Sequence, residues 1–120
     1  MANILIIDDS ATMRQMISLT LTTAGHQVVE AEDGDIALRY VQSVSPDLII
    51  TDVNMPGLNG IDLVRALRQN PMTYNKPILV LTTEHNAQVK AEGRAAGATG
   101  WIVKPFNPDA LLSVLPRVLS

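Results

Sequence analysis

Short apolar runs recur along this chain at intervals wide enough to hold a helix between them. Residues 4–7, 48–51, 78–81 and 101–103 are such runs, and each leads into a polar residue. Unbroken apolar runs of this length are typical of strands buried on both faces of a parallel sheet. Ligands of open α/β sheets bind at the carboxyl ends of the strands. We therefore expect the polar residues after these runs to meet at one edge of one sheet.

The residues expected at that edge are chemically complementary. Three carboxylates offer the hard oxygen ligands that Mg²⁺ prefers. An amine and a hydroxyl offer donors for the oxygens of a phosphoryl group. The pattern therefore predicts a site for a divalent metal and a phosphoryl group, built from Asp8, Asp9, Asp52, Thr82 and Lys104.

The whole sequence alternates between strand and helix patterns, which predicts an α/β fold. Right-handed crossover connections between parallel strands place helices on both faces of the sheet. We expect a doubly wound, five-stranded parallel sheet in a single domain over residues 1–120, with no output domain. The predicted strands are 3–7, 27–31, 48–51, 78–82 and 99–103, and the predicted helices are 11–24, 34–44, 61–68, 86–96 and 108–119.

Composition excludes several classes of function. The chain has no cysteine, which rules out disulfides and thiol catalysis and favours a cytoplasmic protein. The net charge is −3 and no basic run is present, which argues against a nucleic-acid partner. No stretch approaches the roughly 20 apolar residues needed to span a bilayer, and the N-terminus lacks the pattern of a signal peptide, so we expect no membrane insertion.

Together these residues resemble a response-regulator receiver domain over essentially the whole chain. The resemblance rests on the Asp8-Asp9 pair, Asp52, Thr82 and the Lys104-Pro105 pair, each at the end of a predicted strand. Residues 8–14, Asn54, Glu84 and 104–106 are most similar to the stand-alone, CheY-like chemotaxis regulators. The resemblance implies a flavodoxin-like (βα)5 fold with strand order 2-1-3-4-5.

The resemblance also implies a role for each site residue. Asp52 is the expected phosphoacceptor, and its carboxylate attacks phosphorus as a nucleophile. The expected donor of the phosphoryl group is a CheA-like histidine kinase. Mg²⁺ is the implied cofactor, bound directly by Asp9 and Asp52, through water by Asp8, and by the backbone carbonyl of Asn54. Lys104 is expected to contact a phosphoryl oxygen, oriented by a cis peptide bond to the proline that follows.

Five residues are expected to control switching and the lifetime of the phosphoryl group. Thr82 is the implied switch hydroxyl, and Trp101 stands where the family usually has Tyr or Phe. Because indole is larger and carries an N–H that needs a partner, we expect an incomplete inward swing, restricted further by Thr83. Asn54 and Glu84 are the expected tuning positions for the water that hydrolyses the acyl phosphate.

Each of these residue types also has a simpler interpretation. Asp52 could cap a helix or stabilise a turn. The acidic pair could interact with a helix dipole. Lys104 could be an ordinary surface lysine, Trp101 a plain strand aromatic, and Asn54 and Glu84 polar loop residues. Only their joint placement at the ends of four strands favours the site.

The function expected from the sequence is a monomeric, single-domain response regulator. It would catalyse its own phosphorylation and dephosphorylation without acting as an enzyme on external substrates. The expected partners are the kinase, a flagellar motor switch protein and a phosphatase. One alternative is a phosphate sink or phosphorelay intermediate that binds no motor. Another is a metal-dependent phosphatase, which is disfavoured because Asn54 occupies the position of a second acid two residues after Asp52.

Overall fold

A computed structural model describes residues 2–83, 87–104 and 107–119 of the chain. Five strands alternate with five helices, as the sequence predicts. Within the described segments, no helix has both the length and the apolar character needed to cross a membrane. The elements are β1 (Asn3–Ile7), α1 (Ala11–Thr23), β2 (Gln27–Ala31), α2 (Gly34–Tyr40), β3 (Leu48–Asp52), α3 (Gly60–Arg68), β4 (Ile78–Thr82), α4 (Ala87–Ala96), β5 (Gly100–Val103) and α5 (Pro108–Leu119).

The five strands form one parallel sheet in the order β2-β1-β3-β4-β5. This is the order 2-1-3-4-5 implied by the family resemblance, and the flavodoxin-like fold is confirmed. The strand register aligns Ile7 with Thr51 and Thr82 with Val103. As a result, the residues at and just after the ends of β1, β3, β4 and β5 lie along one edge of the sheet.

Side chains alternate across the sheet and fill two separate cores, one on each face. The strand residues Leu5, Ile49 and Val80 point to one face, where α2, α3 and α4 cover them. Their neighbours Ile6, Ile50 and Leu81 point to the other face, covered by α1 and α5. Both faces of the central strands are therefore buried, which explains why their sequences are unbroken apolar runs.

Some predicted boundaries were wrong by one to four residues. Helix α2 ends at Tyr40 and not at Val44, because the chain tightens into hydrogen-bonded turns ahead of Pro46. Strand β5 begins at Gly100, because the hydroxyl of Thr99 accepts the hydrogen bond from the amide of Ile78. Strand β3 continues through Asp52, so this carboxylate is carried by the sheet itself.

Candidate functional site

Four of the predicted site residues converge at the carboxyl edge of the sheet. Asp8 directly follows β1, Asp52 ends β3, and Lys104 directly follows β5. The ammonium Nζ of Lys104 lies 3.2 Å from Oδ1 of Asp52 and 3.7 Å from Oδ2 of Asp8. Ligand oxygens of Asp8, Asp9 and Asp52 all lie within 4.8 Å of one another. The structure thus brings together the acids and the lysine that the sequence assigned to one site.

The carboxylate of Asp8 is held in an unfavourable environment for a charge. It is 1% exposed, and its Oδ1 accepts a hydrogen bond of 2.9 Å from the amide of Ser10. Among the described residues, its buried Oδ2 has no hydrogen-bond partner. Burial raises the pKa of Asp8, and the nearby charges of Asp52 and Asp9 raise it further, while the amide of Ser10 and Lys104 lower it.

This arrangement fits a hard divalent cation. A buried carboxylate oxygen without a hydrogen-bond partner is costly unless a ligand or ion completes it. Asp8 and Asp52 are buried, while Asp9 is exposed and lies at the opening of the cluster. Mg²⁺ takes oxygen ligands and keeps several waters, so one exposed and two buried carboxylates suit it. The bound ion would offset the repulsion among the three carboxylates and neutralise charge on a phosphoryl group.

The backbone around Asp52 depends on a glycine whose role the sequence did not reveal. A β-carbon at Gly60 would lie 2.1 Å from the carbonyl oxygen of Asp52, so only glycine fits there. The amide of Gly60 donates a 2.9 Å hydrogen bond to the carbonyl of Val53. The start of α3 therefore packs directly on the end of β3. The feature of the sequence that could have indicated this close approach is the glycine at the start of the helix.

Thr82 lies on the same face of the sheet as the core that α2, α3 and α4 cover. It is 1% exposed at the end of β4, while Thr83 is exposed. Its carbonyl accepts a 2.8 Å hydrogen bond from the amide of Lys104, which ties the end of β4 to the lysine. Thr82 and Lys104 therefore belong to the same hydrogen-bonded edge of the sheet.

Trp101 is partly buried beneath α4. A β-carbon at Gly93 would lie 2.9 Å from the ring of Trp101. The indole therefore packs against α4 at a glycine, which has no side chain. Lys90 Nζ and the guanidinium carbon of Arg94 lie 6.0 and 5.9 Å from the ring centroid, within the range of cation–π attraction. The ring thus contacts the helix that lies beside the site.

Of the two residues expected to tune hydrolysis, the structure describes Asn54 and not Glu84. Asn54 is exposed in the loop that follows β3, two residues after Asp52. Glu84 lies outside the described residues, as does the proline after Lys104 with the peptide bond predicted to be cis. The predicted roles of these residues remain predictions.

Comparison with known proteins identifies relatives across nearly the full chain. A family model for the response regulator receiver domain matches residues 4–116. The chain is 40% identical over 116 residues to the phosphate regulon transcriptional regulatory protein PhoB of Pseudomonas aeruginosa, covering 97% of this chain and 51% of PhoB. It thus spans about half the length of that relative. From the same organism, chemotaxis protein CheY is 39% identical over 118 residues (98% of this chain, 95% of CheY), and protein PilH is 35% identical over 120 residues (100% and 99%).

Solved structures of related proteins also match this chain over nearly its full length. Vibrio cholerae chemotaxis protein CheY4 is 51% identical, with a TM-score of 0.96 and 99% of both chains covered. The receiver domain of sensor histidine kinase PA1611 from P. aeruginosa is 26% identical, with a TM-score of 0.90 over 98% of this chain and 97% of that one. That structure has a magnesium ion coordinated in its active site cleft.

Proposed function

We propose, on the premise that this chain belongs to the response regulator receiver domain family, that Asp52 accepts a phosphoryl group from a histidine kinase. The observation that carries the proposal is the convergence of three carboxylates and Lys104 on one point. In the transfer, the P–N bond of a phosphohistidine breaks as an Asp52 oxygen bonds to phosphorus. The imidazole leaves with its bonding electron pair and takes up a proton.

The chain's own residues have distinct parts in this chemistry. Lys104 Nζ lies 3.2 Å from Asp52 Oδ1, near enough to neutralise charge on a phosphoryl oxygen as the acyl phosphate forms on Asp52. Asp8, Asp9, Asp52 and the backbone carbonyl of Asn54 would hold Mg²⁺, which lowers the repulsion between an anionic donor and an anionic nucleophile when bound. The magnesium ion in the PA1611 receiver domain supports this assignment.

The acyl phosphate would shift the population between two states of one surface. Thr82 would hydrogen-bond to the phosphoryl group, and Trp101 would move together with α4 and β5. The surface that changes is formed by α4, β5 and α5. The contact between Trp101 and Gly93 supports a movement in which ring and helix shift together. Thr83, Asn54 and Glu84 would tune the extent and duration of this state.

Chemotaxis is the pathway that the relatives favour, with the chain acting as a monomer in the cytoplasm. Similarity to CheY and CheY4 supports a CheA-like kinase as donor, a flagellar motor switch protein as target, and a dedicated phosphatase. PilH and PhoB, which are not named as chemotaxis proteins, are about as similar to this chain as CheY is, so a second candidate stays open: a phosphate sink or phosphorelay intermediate that does not bind the motor. A phosphorylated form that captures no motor switch protein in a pull-down would favour the second candidate.

The chemistry proposed here is self-directed and does not make the chain an enzyme on external substrates. The chain would catalyse attack by Asp52 and later hydrolysis of its own acyl phosphate. A phosphatase of small substrates also needs a general acid, and Asn54 occupies the position where the sequence would place it. Steady turnover of exogenous phosphoesters by the purified protein would overturn this assignment.

The experiment is phosphorylation by acetyl phosphate with and without Mg²⁺, followed by intact mass and by tryptophan fluorescence. Trp101 is the only tryptophan, so its emission reports on β5 alone. We expect a Mg²⁺-dependent mass increase of one phosphoryl group and a reversible fluorescence change, both absent in Asp52→Asn. A phosphorylated protein with unchanged fluorescence would favour the phosphate sink. No phosphorylation with Mg²⁺ present would refute the proposal.

A further inference from the structure

Arg14 makes two polar contacts that link the acidic loop to the neighbouring strand. It lies in α1, and its side chain is only 16% exposed. Its Nη1 donates a 2.5 Å hydrogen bond to the backbone carbonyl of Asp8. Its Nε lies 3.5 Å from a carboxylate oxygen of Glu30 on β2. One planar guanidinium therefore joins α1, the segment after β1, and β2.

The contact with the Asp8 carbonyl fixes the path of the chain into Asp9. Asp8 lies one residue beyond β1, and its amide still donates to the carbonyl of Ala31 at 3.2 Å. The carbonyl of Asp8 and the amide of Asp9 belong to the same rigid peptide plane. Holding that carbonyl therefore sets the direction in which the Asp9 α-carbon leaves, and with it the position of the Asp9 carboxylate.

Glu30 fixes the guanidinium in the orientation that this contact needs. It pairs with Ile6 in the register of β1 and β2, two residues before Asp8, and its side chain is 37% exposed. An exposed ion pair by itself stabilises a fold only slightly. Here its effect is to orient a donor, and the planar fork of arginine can serve both acceptors at once where lysine cannot.

We propose that Arg14, oriented by Glu30, is a positioning residue that holds the Asp8–Asp9 segment in its metal-binding geometry. This inference rests on the proposed function, since it assigns Arg14 to the same Mg²⁺ site. Groups that orient metal ligands without touching the metal typically change metal affinity by about 10–100-fold when removed. The sign of the effect is informative, because a positive charge near the site by itself weakens cation binding.

The test is Mg²⁺ affinity of the unphosphorylated protein, measured by calorimetry, for wild type and Arg14→Gln. Removal of the charge alone would make binding tighter. Loss of positioning makes it weaker, and we expect a loss of about 10-fold or more. An Arg14→Gln protein that binds Mg²⁺ as tightly as wild type, or more tightly, would overturn the inference. Arg39→Gln, an exposed arginine on α2, is the matched charge control and should change affinity little.

Two further variants keep the test decisive if Arg14→Gln does not fold. Arg14→Lys retains the charge but not the fork, and Glu30→Gln leaves Arg14 without its charged partner. Both should remain folded by circular dichroism and bind Mg²⁺ several-fold more weakly. In the double variant Arg14→Gln/Glu30→Gln, the losses should be less than additive, because both act through one contact. Wild-type affinity in both would refute the inference.

The same titration separates this inference from the proposed function. If wild type binds no Mg²⁺ and accepts no phosphoryl group, the proposed function itself is wrong. If wild type binds Mg²⁺ and is phosphorylated while Arg14→Gln binds equally well, only the positioning role is wrong. Phosphorylation of Arg14→Gln at saturating Mg²⁺ should approach the wild-type rate, because the defect lies in binding the ion.

Discussion

At the scale of single residues, the buried carboxylate of Asp8 destabilises the fold in the absence of a metal ion, although the site needs it. Its Oδ2 is buried without a hydrogen-bond partner among the described residues, and burial raises its pKa. Asp8→Asn removes that buried charge while keeping an oxygen for the amide of Ser10. We expect the free energy of unfolding without Mg²⁺ at neutral pH to rise by about 1–3 kcal/mol. Urea denaturation monitored by circular dichroism measures it.

The pH dependence of this difference follows from the direction of the pKa shift. With a raised pKa in the folded state, the native protein binds this proton more tightly than the unfolded chain does. The destabilisation by Asp8 is therefore complete above its folded pKa and is relieved as the pH falls through that value. The gain from Asp8→Asn should shrink in the same range. Asp9→Asn, at an exposed position, is the control, and an equal gain there would contradict the assignment to burial.

At the scale of elements, α4 and β5 meet through a glycine and an indole. Gly93→Ala would place a β-carbon 2.9 Å from the ring of Trp101. Overpacking of this kind costs about 1–3 kcal/mol, whereas alanine in a helix gains about 1 kcal/mol over glycine. We expect a net loss of about 1 kcal/mol, together with a red shift of Trp101 emission as the ring is displaced toward solvent.

A smaller ring should reverse the sign of that result. In a Trp101→Phe background the contact with α4 is relieved, so Gly93→Ala should then stabilise the protein by about the helix-propensity gain of 1 kcal/mol. Thermal unfolding of the four proteins gives the coupling between the two positions. Stabilisation by Gly93→Ala in the wild-type background, with unchanged emission, would show that the ring does not depend on the glycine.

A second connection between elements is made by Arg68 at the end of α3. Its guanidinium donates to the backbone carbonyls of Gly97 at 2.8 Å and Tyr74 at 3.1 Å, and to the hydroxyl of Thr99 at 3.3 Å, as well as to the carbonyls of Thr73 and Lys76. Burial lowers its pKa. Arg68→Met leaves these acceptors unpaired, and we expect a loss of about 2–3 kcal/mol.

The measurement for Arg68 is chemical denaturation combined with amide hydrogen exchange. Exchange should accelerate first in the segment 73–76, where the guanidinium holds the carbonyls of Thr73, Tyr74 and Lys76. Arg65→Met is a matched control on the same helix, since Arg65 is half-exposed and forms an ion pair with Asp62 at 2.8 Å. It should cost about 0.5 kcal/mol. Equal losses in the two variants would contradict a special role for Arg68.

At the scale of the whole molecule, the sequence predicted what depends on local pattern. Alternating segments gave the five strands and five helices, and strand-end residues gave the cluster of Asp8, Asp9, Asp52 and Lys104. Contacts between distant segments were not predictable in this way. The fit of Gly60 to the Asp52 carbonyl depends on which elements become neighbours, which no periodicity records. The same holds for the contacts of Arg68, Arg14 and Gly93, and the strand order itself came from the family resemblance.

The global stability should be linked to Mg²⁺ and to protons through the one acidic cluster. A ligand that binds only the folded state at 100 times its dissociation constant stabilises that state by about 2.7 kcal/mol. We expect an increase in melting temperature of several degrees with Mg²⁺ at neutral pH, which keeps rising with the logarithm of the Mg²⁺ concentration once the site is filled. NaCl at matched ionic strength should not reproduce it, because screening weakens repulsion but completes no ligand shell.

This stabilisation by Mg²⁺ should diminish as the pH is lowered. The apo protein gains a proton on Asp8 as the pH falls through its raised pKa, and Mg²⁺ must displace that proton to bind. Affinity therefore falls while the apo form becomes more stable, and both effects reduce the shift in melting temperature. Asp8→Asn should show a small shift at every pH, because the ligand and the proton site are both gone. A wild-type shift that stays constant as the pH is lowered through the raised pKa of Asp8 would mean that Asp8 does not take part in binding the ion.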